Sequence, residues 1–450
     1  MTFLGELRDE VSRLETGQAA RERAAVDRSG AVPAGLPLAV VRARDVDDVR
    51  ATLRLASRHR VPVVPRGAGT GLAGGALADE GAVVLDVSGM DRIVEIDPVD
   101  ELAVVEPGVI TAVLDAEAAR HGLRYAPDPA SAALSTIGGN IATNAGGMRC
   151  VKYGVTREAV LGLDVVLADG RLISTGRRTV KGVSGLDLTS LFVGSEGTLG
   201  VVVGASLRLR ALPEQTLTAA AAFGDVAAAA QACVALAAAR RRPSVLELLD
   251  GATLAVVDRA EGTDHATRGN ALVIAQAEGP DAAEEIAAIA DILGKEATWS
   301  ERAVDPASSQ RLLHARRSAL PSIERFGRAL IEDICVPRSR LADAFAGVRR
   351  IAAAHDVAIY SFAHAGDGNL HPIIGYDAPS AQPPAAVGRA ADDIFALALE
   401  LGGTVTGEHG IGLLKRDWLA REVGPDVLDV HASLKQALDP LAILNPGKGF

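Results

Sequence analysis

The sequence predicts an α+β protein in which two domains follow each other along the chain. From about residue 36 onward, strand-like segments alternate with capped amphipathic helices, and long glycine-rich loops lie between them. Near Leu212-Pro213-Glu214 the pattern changes, and alanine-rich helical stretches then alternate with apolar strands such as Leu272–Ala275. A single hydrophobic core is not expected in 450 residues, so this change indicates a second domain.

The first domain opens with a helix that is followed by a strand. Asp45 is typical of a helix N-cap, and the amphipathic segment after it precedes a short strand that starts at Val61. A glycine-rich loop comes next, and further strands are predicted at 82–87, 93–96 and 102–105. A helix is predicted at 110–121 with Gly122 as its C-cap. The segments 160–168 and 171–175 have the pattern of a hairpin around Asp169-Gly170, and more strand is predicted at 192–209.

Composition excludes several classes of function. The net charge is −11 and no block of basic residues interrupts it, so no nucleic-acid partner is expected. The cysteines Cys150, Cys233 and Cys335 lie far apart in sequence, which argues against a disulfide framework and against a self-contained iron–sulfur site. This cysteine usage suits a reducing compartment, and the sequence predicts a cytoplasmic protein.

Membrane insertion is not expected either. The first 23 residues mix charges with leucines and contain no apolar stretch of the signal-peptide kind. The longest apolar run, 226–239, is short and contains Gln231, so no transmembrane segment is predicted. Peripheral contact with a membrane stays open, and the sequence is compatible with a homodimer.

The first glycine-rich loop has the form of an anion-binding turn. Gly69, Gly71 and Gly74 give a formal GxGxxG after a strand. A nicotinamide-binding Rossmann unit needs a helix at this point, and only a few residues separate the loop from the next strand, so that interpretation is rejected. Glycines still let backbone N–H groups surround a pyrophosphate, and the alternative is a simple tight turn.

A second loop of the same character runs from Pro127 to Gly147. It contains Ser131, the run Ser135-Thr136-Ile137-Gly138-Gly139-Asn140, and Thr143-Asn144-Ala145-Gly146-Gly147. One phosphate turn does not need this length. Two long polar, glycine-rich loops favour an extended ligand that carries both phosphates and a ring system.

Three of the nine histidines lie beside glycines and acids. His364 and His371 lie around a glycine turn, in a segment predicted as a loop after the strand 359–362, and Glu408-His409 lies in another glycine-flanked segment. Two imidazoles and a carboxylate suit a divalent metal, but polar loop residues explain the spacing equally well. If the segment is extended, Glu408 and His409 point to opposite faces, so that one binds metal and the other faces the substrate.

Taken together, these motifs resemble the FAD-linked oxidases of the vanillyl-alcohol-oxidase or PCMH type. The two loops, Lys152-Tyr153-Gly154, Val193–Gly200 and Leu444–Lys448 carry the resemblance, which spans roughly 36–450 and lies nearest to D-lactate dehydrogenases and glycolate oxidase flavin subunits. It implies a two-subdomain PCMH-type FAD-binding domain and an α+β cap domain with an antiparallel sheet. The expected division is an N-terminal helical segment (1–33), the FAD domain (34–213), the cap (214–405) and a C-terminal return to the FAD domain (406–450).

The resemblance also implies which residues hold FAD. The first loop would wrap the pyrophosphate, and the second would line the flavin and the ribityl chain. Some relatives tether flavin through a histidine in the first loop, and none is present here, so non-covalent FAD is expected. The implied cofactor-binding residues are Arg66, Gly67, Ala68, Gly69, Thr70, Gly71, Pro127, Asp128, Ser131, Gly138, Gly139, Asn140, Thr143, Asn144, Gly147, Tyr153, Gly154, Glu196, Gly197, Gly200 and Asn445.

In metal-containing relatives, the positions that match His364, His371 and Glu408 hold a divalent metal, zinc or manganese. The position of His409 is the catalytic base, and Asn369 adds a polar contact. Arg316 matches an arginine that binds the substrate carboxylate, a task that suits guanidinium, although a solvated helix face is the alternative. Relatives commonly carry a tryptophan just before this arginine, where Leu313-His314 stands here, which leaves the substrate open. Glu332-Asp333 occupies the region where relatives specific for D-2-hydroxyglutarate carry an extra lysine, and two acids argue against a second substrate carboxylate.

The sequence thus predicts an FAD-dependent dehydrogenase of a small D-2-hydroxy acid, D-lactate or glycolate. Its electrons would leave through an external acceptor, namely a quinone, a cytochrome or an iron–sulfur partner subunit. The alternatives are a D-2-hydroxyglutarate dehydrogenase or other oxidase of the family, an ether-lipid synthase, a non-catalytic flavin subunit, and a metallohydrolase that uses His364, His371 and Glu408.

Overall fold

A computed structural model describes residues 2–179, 181–377 and 382–450. The chain divides into two compact units. The first comprises Met1–Gly147, Gly154–Leu212 and Glu408–Phe450, and the second comprises Met148–Tyr153 and Pro213–Gly407. Helices and antiparallel sheets occur in the chain together, which confirms the predicted α+β class.

Up to residue 212 the elements are, in chain order, α1 (Phe3–Glu10), β1 (Leu14–Glu15), α2 (Gln18–Ala25), β2 (Ala39–Arg42), α3 (Val46–His59), β3 (Val63–Arg66), β4 (Val83–Asp86), β5 (Ile93–Asp97), β6 (Leu102–Val105), α4 (Thr111–Ala119), β7 (Leu123–Arg124), α5 (Ile137–Thr143), α6 (Cys150–Tyr153), α7 (Thr156–Ala159), β8 (Val160–Val166), β9 (Leu172–Gly176), α8 (Leu188–Phe192), β10 (Val201–Arg208) and β11 (Arg210–Ala211).

After residue 212 they are β12 (Thr216–Phe223), α9 (Val226–Ala238), β13 (Val245–Asp250), α10 (Gly251–Glu261), α11 (His265–Arg268), β14 (Ala271–Glu278), α12 (Ala282–Leu293), β15 (Trp299–Arg302), α13 (Pro306–Glu324), β16 (Arg328–Ile331), β17 (Ile334–Cys335), a 3-10 helix (Arg338–Arg340), α14 (Leu341–His355), β18 (Ala358–His364), β19 (Asn369–Tyr376), α15 (Ala385–Glu400), α16 (Arg416–Val423) and α17 (Pro425–Leu438).

The first unit contains two principal sheets. One has the strand order β1-β2-β4-β3, in which β2, β4 and β3 run parallel, and the other is antiparallel with the order β5-β6-β10-β8-β9. The parallel strands contribute to a hydrophobic cluster that includes Leu53, Leu55 and Leu85, and the antiparallel sheet contributes to this cluster and to a second one that includes Tyr125, Phe192 and Leu207. The unit is therefore built from two packed subdomains.

The second unit is built on one antiparallel sheet. Its strand order is β15-β12-β14-β13-β18-β19-β16, and β17 also pairs with β19. Helix α13 packs against a face of this sheet that carries Leu249, Phe362 and Ile373. Asp305 caps α13 by accepting from Ser308 N, and Ser308 Oγ accepts from Asp305 N in return, so the helix start is fixed by a capping box.

Some local predictions from the sequence are wrong. The segment 192–200 is not strand, because α8 ends at Phe192 and Gly194, Glu196 and Gly197 all have left-handed backbone conformations that interrupt an extended chain. Helix α4 ends at Ala119 with Arg120 as its cap, and Gly122 follows with φ +72°, so this glycine forms the turn after the helix. The N-terminal segment is not only helical, since β1 pairs with β2.

Other local predictions are confirmed. Asp45 caps α3 by accepting from Asp48 N at 3.0 Å, and the predicted hairpin is formed by β8 and β9. Among the described residues, no helix combines the length and the apolar character that a bilayer crossing requires.

Candidate active site

The two predicted glycine-rich loops meet in the first unit. A Cβ placed on Gly67 would lie 2.3 Å from Oγ1 of Thr136, so only glycine allows the first loop to approach the start of α5 this closely. Thr136 is the N-cap of α5 and accepts from Gly139 N at 3.2 Å. Gly71 faces open space, since a Cβ there would meet nothing within 4 Å. Open backbone in a glycine-rich loop is suited to a phosphate group, which fits the pyrophosphate of FAD.

The second loop is also held by close backbone approach. A Cβ on Gly147 would lie 2.4 Å from the backbone oxygen of Asp128, and one on Gly138 would lie 2.7 Å from Cβ of Pro107. Asn140 is buried and its amide donates to Thr111 Oγ1 at 2.6 Å. The predicted residues Asp128, Gly138 and Gly147 therefore lie in packed backbone.

Arg66 holds its own loop in place. Its guanidinium donates to the backbone oxygen of Val26 at 2.7 Å, and a Cβ on Gly69 would lie 2.1 Å from Nη2 of Arg66. Burial lowers the pKa of Arg66 from its ordinary value. The arginine therefore lies directly beneath the turn predicted to hold the pyrophosphate.

Glu196 and Asn445 tie the C-terminal segment to this part of the first unit. The Glu196 carboxylate accepts from Ile411 N at 2.8 Å and Gly412 N at 2.7 Å. Asn445 Nδ2 donates to the backbone oxygens of Gly75, at 2.9 Å, and Glu196, at 2.8 Å. Burial raises the pKa of Glu196, although the two backbone N–H groups act in the opposite direction. These side chains therefore order the end of the first loop through protein contacts.

Tyr153, predicted to contact FAD, belongs to the second unit. Its hydroxyl donates to the Glu278 carboxylate, which also lies 3.2 Å from Nζ of Lys152. Its contact with the cofactor stays a prediction, as do those of the other implied FAD residues.

The second unit presents a row of buried polar side chains on neighbouring strands. Glu247 of β13 pairs across the ladder with His364 of β18, and His364 pairs with Asn369 of β19. His371 pairs with Phe362. Because side chains two apart on a strand point to the same face, His364 and Phe362 share a face with their cross-strand partners. Sheet register alone thus brings together residues more than a hundred positions apart.

The two histidines lie in the strands and not in the loop between them. His364 is the last residue of β18 and His371 lies inside β19, so their predicted placement in a loop is wrong. The turn uses 365–368 only, and Gly368 has φ +90°, where a Cβ would lie 2.1 Å from the Val336 backbone oxygen. Both histidines are buried, and their rings meet edge-on with centroids 5.1 Å apart. Because both residues are paired with a neighbouring strand, their backbone positions are more restricted than they would be in a loop.

Glu247 joins two of the predicted site residues. Its side chain is fully buried, Oε1 lies 2.7 Å from Nδ1 of His364, and Oε2 accepts from Nε of Arg316 at 2.5 Å. Arg316 extends from α13, and its guanidinium carbon lies 4.2 Å from the ring centroid of Phe362. Arg316 is therefore buried on the sheet face, and the alternative of a solvated helix position does not apply.

Asp333 is a second buried acid, and it contacts both Asn369 and the segment before Glu408. It is fully buried and accepts from Asn369 Nδ2 at 2.5 Å, from Thr406 Oγ1 at 2.7 Å and from Gly407 N at 2.9 Å. A Cβ on Gly407 would lie 2.3 Å from the Asn369 amide, so glycine is required there. This buried acid fixes the chain segment that leads directly into Glu408.

The ligand atoms of His364, His371 and Glu408 all lie within 4.8 Å of one another. Two imidazole nitrogens and a carboxylate oxygen at this spacing suit a divalent ion that keeps open coordination positions. These residues therefore fit the metal that the sequence predicted.

Glu408 and His409 do not point to opposite faces as predicted. His409 Nε2 lies 3.9 Å from Glu408 Oε1. The backbone bends at Gly407, Glu408 and His409, so the alternation of an extended strand does not hold. Both side chains are mostly buried, and they approach each other.

Sequence reasoning missed Glu247 and the anchoring role of Asp333. A signal for the first was present, since Glu247 interrupts the apolar run Val245-Leu246-Glu247-Leu248-Leu249 of a buried strand. A carboxylate in such a run has to meet a cation or a donor, which the apolar run itself does not supply.

Known protein families match the chain over most of its length. Residues 212–449 match the family described as "FAD linked oxidases, C-terminal domain", and residues 37–176 match "FAD binding domain". The chain is 43% identical over 419 residues to glycolate oxidase subunit GlcD of Bacillus subtilis, a match that covers 92% of this chain and 89% of that protein. It is 36% identical to D-lactate dehydrogenase of Archaeoglobus fulgidus, over 91% of this chain and 90% of that protein. It shares its fold with substrate-bound p-cresol methylhydroxylase, with a TM-score of 0.81, 17% identity, and coverage of 99% of this chain and 96% of that one.

Proposed function

Since the chain belongs to the FAD-linked oxidases, we propose that it oxidises a small D-2-hydroxy acid, D-lactate or glycolate, to the 2-oxo acid. The names of its relatives, a glycolate oxidase subunit and a D-lactate dehydrogenase, support oxidation of a hydroxy acid. The observation that carries the proposal is that Arg316 of α13 is buried beside the strand residues His364 and His371, through the shared contact with Glu247. It offers a cation for a carboxylate beside ligands for a metal.

Arg316 is the group that would bind the substrate carboxylate. Its Nε is used by Glu247, and within the described residues its two Nη atoms donate to no protein group. A guanidinium edge with two parallel N–H donors matches the two oxygens of a carboxylate. A carboxylate partner would also complete the pairing of a largely buried cation.

Oxidation of the alcohol removes a hydride from carbon and a proton from the hydroxyl oxygen. When bound, FAD would supply the acceptor for this hydride. His409 takes the hydroxyl proton on an imidazole nitrogen, because a neutral imidazole is a competent base near pH 7. The substrate thereby loses two electrons and two hydrogens and becomes the 2-oxo acid. The electrons then pass to an external acceptor, a quinone, a cytochrome or an iron–sulfur partner subunit.

His364, His371 and Glu408 would hold the divalent metal, zinc or manganese. Such an ion lowers the pKa of a bound hydroxyl and fixes a hydroxy-carboxylate by chelation. Asn369, held by Asp333, lies in the same buried row and would add a polar contact. This assignment leaves His409 for the proton.

The anaerobic reduction of bound flavin tests the reaction class directly. Purified protein loaded with FAD is mixed without oxygen with glycolate, D-lactate, L-lactate or D-2-hydroxyglutarate. We expect glycolate or D-lactate to bleach the yellow absorbance completely and L-lactate to leave it unchanged. Dithionite serves as the control that the flavin can be reduced. Bleaching by D-2-hydroxyglutarate alone would overturn the small-acid assignment, and no bleaching by any of them would overturn the reaction.

Non-covalent FAD is the second expectation. The loop Gly67–Gly71 contains neither histidine nor cysteine that could tether flavin. After acid precipitation, all yellow colour should therefore appear in the supernatant and one FAD should be recovered per chain. Colour that stays in the pellet would contradict non-covalent binding.

A further inference from the structure

Glu247 is a buried carboxylate with two partners and no solvent. It lies in β13, in the interior of the eight-stranded sheet, and its relative exposure is 0%. Burying a carboxylate costs free energy unless donors or cations compensate it. Each Glu247 oxygen meets one such group, Nε of Arg316 and Nδ1 of His364. We assign the first of these partners, Arg316, to the substrate carboxylate and the second, His364, to the metal.

The contact with His364 bears on the tautomer and the orientation of its ring. Nδ1 of His364 lies 2.7 Å from Oε1 of Glu247, and the other oxygen of this carboxylate accepts from Nε of Arg316. A carboxylate that accepts at both oxygens assigns the ring proton of His364 to Nδ1. The lone pair of a neutral ring is then on Nε2. Histidines that ligate metals commonly donate their other N–H to a carboxylate, which fixes the tautomer and the ring orientation.

The contact with Arg316 determines the orientation of the guanidinium. Glu247 holds its Nε edge, and Phe362 lies against its face, with Cζ 4.2 Å from the ring centroid. A planar group held at one edge and over one face has a single orientation left. The opposite edge, which carries both Nη atoms, therefore also has a fixed direction.

We infer that Glu247 is a positioning residue that aligns the substrate-binding arginine and the metal-binding histidine together. The inference rests on the proposed function, because it assigns those tasks to Arg316 and His364. Because a single carboxylate contacts both residues, its loss should weaken metal binding and carboxylate binding together. A carboxylate that merely neutralises a buried arginine would affect stability and neither the zinc affinity nor the tautomer of His364.

The test is the near-isosteric substitution Glu247→Gln. Both partner atoms are donors, and a glutamine presents one acceptor and one donor, so it can satisfy only one of them. Zinc affinity of the metal-free, FAD-loaded protein is measured by competition with a chromophoric chelator. Oxalate, a carboxylate that cannot be oxidised as an alcohol, is titrated through the change in flavin absorbance. We expect zinc binding to weaken roughly 10–100-fold and oxalate binding to weaken about tenfold or more.

Asp250→Asn is the matched control. Asp250 lies three residues further along β13, is half-buried, and accepts from Thr253 N at 2.8 Å and Ser361 N at 3.2 Å, not from Arg316 or His364. Its loss should leave both affinities within about twofold, a difference of less than half a kcal/mol. Unchanged zinc and oxalate binding in Glu247→Gln would overturn the inference, as would equal losses in both variants.

A measurement on the unaltered protein covers the case in which Glu247→Gln does not fold. Nitrogen-15 NMR of labelled histidines, with His364→Asn as the assignment reference, reports which ring nitrogen carries the proton. We expect a protonated Nδ1 in His364, and a protonated Nε2 with a bare Nδ1 would overturn the inference. Failure of the proposed function is separate, because it would appear as flavin that none of the 2-hydroxy acids bleaches in the unaltered protein.

Discussion

Replacing His409 with alanine is expected to slow the anaerobic reduction of flavin by roughly 10²–10⁴-fold, the usual contribution of a general base. Without the imidazole, no group in this position accepts the hydroxyl proton as hydride leaves the carbon. FAD content should stay normal, since the implied FAD loops do not include this residue. Metal content should stay normal as well, because the assigned ligands are His364, His371 and Glu408. Stopped-flow absorbance and metal analysis of the same sample measure both quantities.

His355→Ala is a suitable control, because it removes a histidine of the second unit whose Nε2 lies 2.6 Å from the Asp393 carboxylate, and this variant should reduce flavin at the normal rate. Arg316→Ala should show a different pattern, in which the larger loss is in apparent substrate affinity. Since Glu408 and His409 approach within 3.9 Å, the opposite assignment is also testable. Loss of metal in His409→Ala together with its retention in Glu408→Ala would make His409 the ligand and Glu408 the base.

The parts of the fold that depend on local sequence could be predicted. The Asp45 cap, the glycine turns and the β8–β9 hairpin all follow from side chains within a few residues of each other. The two glycine-rich loops were recognisable because a missing Cβ is a requirement at the position itself. Their meeting at Gly67 and Thr136 is tertiary, but it was foreseeable once both were assigned to one extended ligand.

The contacts that position the side chains of the candidate site could not be predicted from local sequence in the same way. The segment from His364 to His371 contains two glycines, an aspartate and an asparagine, which favour a loop by local rules. Glu247 and Asp333, from elsewhere in the chain, compensate the buried polar groups of His364 and Asn369, so the strands can include them. Periodicity cannot detect a partner that lies 117 residues away. The bend at Glu408-His409 could not be predicted for a related reason, because Asp333, which is distant in sequence, binds the segment that precedes it.

Removal of the metal is expected to abolish turnover while FAD stays bound. His364, His371 and Glu408 lie outside both glycine-rich loops, so chelation should leave the flavin spectrum in place. A Lewis acid contributes several kcal/mol to such a reaction, which corresponds to a loss of roughly 100-fold or more in flavin reduction.

Zinc or manganese added back should restore the rate, whereas magnesium, which prefers oxygen ligands, should not. Retention of metal should fall as the pH drops through the range in which imidazoles protonate, because a protonated histidine has no lone pair for the ion. Metal content and flavin reduction are therefore measured on the same dialysed samples across that pH range. Normal reduction by protein shown to contain no metal would leave Arg316 and His409 as the groups that act on the substrate, and the row of His364 and His371 would then be a structural feature of the sheet.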